Sequence, residues 1–124
     1  MRIVDIRETA IPLKSSLANS SFDFSEMTTS VVAVITDVVR EGRPVAGFAF
    51  NSTGRYACGA QMRERFIPRI RAAKPGALLD GEGNLDPEKI LACMMQREKA
   101  GGHSERSIAI GTIEVAVWAA LAKI

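Results

Sequence analysis

The chain has 124 residues, 47% hydrophobic and 24% charged, with 16 Lys and Arg against 14 Asp and Glu for a formal charge of +2. That suffices for one hydrophobic core and excludes two. So slight a positive balance argues against nucleic acid as a partner, because such binders concentrate basic residues on a strongly basic domain.

Residues 2–9 alternate Val4 and Ile6 against Ile3, Asp5 and Arg7, which predicts a first strand that Pro12 brings out of regular pairing. Arg2, Asp5, Arg7 and Glu8 interrupt any apolar run there, so no signal peptide is expected. Residues 14–26 are rich in serine and asparagine, with Phe22 and Phe24 in the second half. This stretch reads either as a surface connection pinned by the two phenylalanines or as a flap that folds over a ligand. Residues 28–39 form a long β-branched run that predicts a second strand, Arg40-Glu41-Gly42-Arg43-Pro44 supplies a turn, and residues 45–51 predict a third strand paired with the second as a hairpin.

After Gly59 the pattern becomes helical. Met62, Phe66, Ile67 and Ile70 make an apolar stripe, and Pro68 is expected to weaken or kink the helix. Residues 55–74 hold six cations (Arg55, Arg63, Arg65, Arg69, Arg71, Lys74) against Glu64 alone, a distribution read as a solvated helix face. Arg63 is the exception: it falls on the apolar side, so it is expected to be partly buried and paired with a carboxylate. Asp86-Pro87-Glu88 has the composition of a helix start, with aspartate as cap and proline at the first position. Ile90, Leu91, Met94 and Met95 give that helix its inner face. Residues 104–124 predict a last helix, capped by Ser104, with Ile110, Ile113, Val117, Leu121 and Ile124 on one stripe and Ile108, Val115 and Trp118 off it. No glycine, asparagine or proline follows Lys123, so this helix is expected to run on without a stop, as though a larger protein continued. No segment is long and apolar enough to span a bilayer. Strands first and helices after predict an α+β domain, a three-stranded antiparallel meander followed by a bundle of three to four helices.

The chemical inventory is sparse. Cys58 and Cys93 are too few and too far apart for a disulfide framework or a metal knuckle, which makes a reducing cytoplasm the expected location. Asp23, Glu26 and the carboxylates at Asp80, Glu82 and Asp86 lack the spacing of a calcium loop. His103, the only histidine, reads as a structural hydrogen-bonding group rather than an acid or base. Two loops concentrate polar groups: residues 51–59, whose amides and Arg55 could face an anion near a helix start, and residues 97–105, where Lys99 and His103 flank a glycine pair.

The opening Arg-Ile-Val-Asp-Ile-Arg-Glu, the strand Val-Val-Ala-Val-Ile-Thr-Asp, Gly47-Phe48-Ala49-Phe50-Asn51-Ser52-Thr53-Gly54-Arg55-Tyr56 and the terminal Gly111-Thr112-Ile113-Glu114-Val115-Ala116-Val117-Trp118 carry a likeness. Together they make the chain resemble the N-terminal capping domain of the enolase superfamily, within the group of mandelate racemase and muconate lactonizing enzyme. The Asn-Ser-x-Gly-Arg-Tyr loop and the segment Glu98-Lys99-x-Gly-Gly-His-x-Glu-Arg-Ser107 resemble the D-tartrate dehydratase type of acid-sugar dehydratase. The resemblance implies a cap over a modified β/α barrel that is absent here. The barrel of such lyases carries magnesium and the acid-base groups that remove a proton next to a carboxylate. This chain alone is therefore expected to be inactive, with no catalytic or metal-binding residue of its own. The resemblance further implies that the cap selects a small hydroxylated carboxylate through residues 18–24 and 51–56, with Asn19, Ser20, Ser21, Asn51, Arg55, Tyr56 and Lys99 as binding residues. The sequence departs from the family pattern at Ala119, where aspartate is common, at the Ser20-Ser21 pair, where an aromatic is expected, and at Ala100, where proline is expected. The alternative class is a non-catalytic module that forms a homo-oligomer or binds a separately encoded barrel.

Overall fold

A computed structural model of the chain describes residues 1–52, 57–102 and 104–124. Three strands, β1 (Ile3–Pro12), β2 (Thr28–Arg40) and β3 (Arg43–Asn51), form one antiparallel sheet in that order. The meander and its hairpin are those expected from the alternation. β1 runs on to Pro12, which pairs with Thr28 as its last residue, a position where the missing amide hydrogen costs the ladder nothing. The alternation fails at Val4, which is 60% exposed beside the register shift between Ile3 and Asp5. An extra residue in a bulge turns its side chain off the face that Ile6 keeps.

The helices cover one face of the sheet. A continuous helical run comprises α1 (Ala57–Gln61), a π-helical turn (Met62–Phe66) and α2 (Ile67–Ala72), followed by α3 (Pro87–Met94) and α4 (Glu105–Leu121). In the π turn the Ile67 amide donates to the Met62 carbonyl, five residues back. Pro68 follows directly. In a straight α-helix its ring would press on the carbonyl four residues earlier, and the wider π turn relieves that contact in place of a break. Met62, Phe66, Ile67 and Ile70 are all buried, as the stripe predicts. Asp86 caps α3 through its carboxylate, which accepts from the amides of Glu88 and Lys89.

One expectation for α4 needs correction. Ser104 has φ 68° and makes no side-chain cap bond, since its backbone is not in the extended region from which a hydroxyl reaches the first-turn amides. The regular helix reaches Leu121 and ends without a glycine or left-handed cap, Ala122, Lys123 and Ile124 donating back to Trp118, Ala120 and Leu121. Ile113, Ala116, Val117 and Ala120 of α4 are fully buried against the sheet. Contact is closest at Gly47, where a methyl group would sit 1.8 Å from the Ala116 carbonyl oxygen and 2.4 Å from the Ala120 nitrogen. Val115 and Trp118 on the outer side of α4, and Phe48 and Phe50 on the outer face of β3, remain more than half exposed.

Candidate functional site

Strand register decides where the two polar connections emerge. Pro12 pairs with Thr28, while Ser30 pairs with Ala10 on one side and Asn51 on the other. The connection through residues 13–27 and the one that follows Asn51 therefore leave the same end of the sheet, offset by two residues, or about 7 Å along the strand direction. α4 runs back along β3, since Lys123 Nζ donates to the Ala46 carbonyl at 2.6 Å and Asn51 Nδ2 to Thr112 Oγ1 at 2.9 Å. The start of α4, and with it the segment that carries Lys99, lies toward that end too. Asn19, Ser20, Ser21, Asn51 and Lys99 thus sit on connections rooted at one end of the molecule. Arg55 and Tyr56, and also His103, lie outside the described residues.

The first connection is a small hairpin and not a loose loop. Ala18 bridges Asp23, the Asn19 amide donates to the Phe22 carbonyl at 2.8 Å, and the Phe24 amide donates to Leu17 at 3.0 Å. Asn19 Oδ1 accepts from the amides of Ser21 and Phe22 at 2.8 and 2.7 Å. Asparagine side chains commonly close turns in this way; of the Asn19 side chain only Nδ2 is then left for a ligand. Ser20 and Ser21 are exposed at the tip. Phe22 does not pin the segment to the core: it is 55% exposed, and Leu17 is 71% exposed.

Asn51 is engaged as well. Its partner Thr112 donates in turn to the Ile108 carbonyl at 2.7 Å, so Asn51 ties the root of the following connection to α4. Lys99 is exposed, and its backbone is held by Arg106, whose guanidinium donates to the carbonyls of Lys99 and Gly101. Glu98, beside it, reaches Arg65 at 2.5 Å and Arg69 at 3.5 Å, which fastens this segment to the long helical run.

Arg63 is paired as expected, but its burial needs correction. Its Nη1 lies 2.7 Å from Glu8 Oε2, yet the Arg63 side chain is 54% exposed and it is the Glu8 side chain, 1% exposed, that is buried. The reason is position: Glu8 lies on the same sheet face as Ile6, whereas Arg63 enters from the helix above. Glu8 Oε1 has no hydrogen-bond partner among the described residues, and a methyl group at Gly59 would come within 2.7 Å of it. The sequence contained a signal for this carboxylate, since Glu8 continues the even-numbered alternation of Ile6.

Cys58 and Cys93 are both buried and form no disulfide. Burial pushes both thiols above the usual range; the charge of Glu105 adds to the effect at Cys58, and Arg69 partly offsets it at Cys93. Because the thiolate is the nucleophile, labelling by an aromatic disulfide reagent at pH 8 is expected to be at least about tenfold slower in the native chain than in guanidinium chloride. Equal rates in the two states would show that the thiols are not protected. Among the described residues no three His, Cys, Asp or Glu side chains gather as a metal site. No helix among them is long and apolar enough to cross a membrane.

No family model matches the sequence. The structure is similar to that of a mandelate racemase/muconate lactonizing enzyme-like protein from Rubrobacter xylanophilus, with a TM-score of 0.62 and 17% identity over 99% of this chain and 31% of that one. The chain thus spans about a third of the length of the protein it matches. The likeness shows the fold alone: a three-stranded antiparallel sheet backed by helices, without a barrel among the described residues.

Proposed function

We propose that this chain is the substrate-specificity cap of a magnesium-dependent acid-sugar dehydratase of the D-tartrate type. The observation that carries the reading is the common root of the three polar connections, which would let residues 18–24, 51–56 and Lys99 close over one small ligand. In that division of labour the chain binds and orients; proton transfer and metal binding belong to the barrel. Lys99 would face a carboxylate or hydroxyl of the substrate, and Ser20, Ser21 and the Asn19 side-chain nitrogen Nδ2 would offer hydrogen bonds from the hairpin. Asn51, with its amide nitrogen committed to Thr112, serves chiefly to tie the root of its connection to α4.

The test expresses the chain together with the coding sequence that follows Ile124 and assays D-tartrate with magnesium chloride. Oxaloacetate is expected from the longer product and none from the 124-residue chain. Lys99→Ala in the longer product is expected to lower turnover by about 10- to 100-fold, the value of one charged hydrogen bond. Appreciable turnover by the chain alone would overturn the division of labour. A second reading, self-association, is favoured by the exposed Phe48, Phe50, Val115 and Trp118, since apolar surface of this kind commonly marks an interface. It predicts an unrelated sequence downstream and a concentration-dependent dimer in sedimentation.

A further inference from the structure

At the opposite end of β1 from these connections, the first half of the strand walls a cleft closed on the other side by the turn after α2. β1 is an edge strand, so helices and turn approach it without a neighbouring strand in the way. The cleft measures about 270 Å³, close to the lower end of ordinary small-ligand pockets, about 300 Å³. Its floor is apolar, made by Ile3, Ile6, Ile70, Leu79 and Leu85. Its rim is cationic. Arg2, Arg71 and Lys74 stand there against a single carboxylate, Asp5.

That carboxylate is already committed. Asp5 lies 2.7 Å from Arg7 and 3.1 Å from Arg71, and the hydrogen bond from Arg7, seconded by Arg71, holds it below the usual carboxylate range. Arg71 is fixed further by its bond to the Ile6 carbonyl at 2.6 Å. The side chains of Arg2 and Lys74, by contrast, have no ion pair or hydrogen bond among the described residues. An apolar floor beneath uncommitted cations suits a ligand with an anionic head and a short apolar tail, because the tail leaves water while the head keeps partners at the mouth.

We propose that this cleft binds a short-chain monocarboxylate, its tail against Ile3, Ile6 and Leu79 and its carboxylate at the Arg2 and Lys74 rim. The proposal does not rest on the cap reading, since it uses none of the residues assigned there. Titration of the isotopically labelled chain with sodium hexanoate, followed through amide shifts, is expected to give saturable changes centred on Ile3, Asp5, Ile6, Gly76 and Leu79. Hexanol and hexylammonium, which share the tail but not the charge, are expected to bind at least about tenfold more weakly. The Arg2→Gln/Lys74→Gln variant is expected to lose about tenfold in hexanoate affinity with its spectrum otherwise unchanged, as both side chains are exposed and unbonded. Hexanoate that leaves those amides unmoved, hexanol that binds as tightly, or a double variant with undiminished affinity would each overturn the proposal.

Discussion

Gly47→Ala is expected to destabilise the chain by about 3 kcal/mol or more, at the top of the range for overpacking. The alanine methyl would meet backbone on both sides, 1.8 Å from the Ala116 oxygen and 2.4 Å from the Ala120 nitrogen. Backbone of a packed helix cannot step aside as a flexible side chain can, so all of α4 would have to withdraw from the sheet. Ile113, Ala116 and Val117 would then loosen together, and close-packed interiors respond steeply to gaps of this kind. Against a total of about 5–15 kcal/mol for a domain, such a loss is severe. A thermal melt is expected to show a midpoint lower by about 10 °C or more. Gly111→Ala is the matching control: nothing lies within 4 Å of its added methyl, and alanine in a helix interior is favoured by about 0.5–1 kcal/mol. If the two variants melted alike, the close seat of α4 on β3 would be wrong.

Arg63→Ala is expected to cost about 2–3 kcal/mol, which places it second. Removing one partner of a buried pair leaves a charge stranded, at a cost of about 3–5 kcal/mol when both are fully buried; here Arg63 is half in water, which moves the figure down. Glu8 would be left 1% exposed with neither oxygen paired among the described residues. The companion variant Glu8→Gln/Arg63→Ala removes the stranded charge and is expected to recover more than half of the loss, which a double-mutant cycle in urea would measure. If the double variant were as unstable as the sum of the single ones, charge pairing would not be the reason for the loss.

These two sites also show where a sequence is legible and where it is not. The strands could be read because Val32 and Val34 alternate with half-exposed neighbours, and α3 because Asp86 and Pro87 mark its start chemically. Arg63 could be assigned a partner but not an exposure. A single helical period assumes an unbroken α-helix, and the π turn at Met62–Phe66 alters the phase at which side chains face the sheet. Gly47 carried only the general signal of a glycine inside a strand, which often marks close approach of another backbone; nothing local said that the backbone belonged to α4. In the candidate site, Lys99, Ser20 and Ser21 were found as exposed polar residues. The engagement of Asn19 and Asn51 was invisible, because the same amide side chain serves a ligand or a turn equally well until its neighbours are known. The cleft beside β1 joins residues from three separate parts of the chain, so no motif announced it.

The hairpin that carries Asn19 has a consequence for recognition. A segment that closes its own hydrogen bonds loses conformational entropy when the chain folds, not when a ligand arrives, and that entropy is roughly 1–2 kcal/mol for each backbone residue fixed. Under the proposed cap reading, residues 17–24 would meet a small molecule as one preorganised body, its stems at Leu13 and Met27 already bonded to each other. On that reading selectivity would come from the fixed spacing of groups on the hairpin, and exchanging the exposed tip residues Ser20 and Ser21 would redirect recognition without rebuilding the loop that presents them.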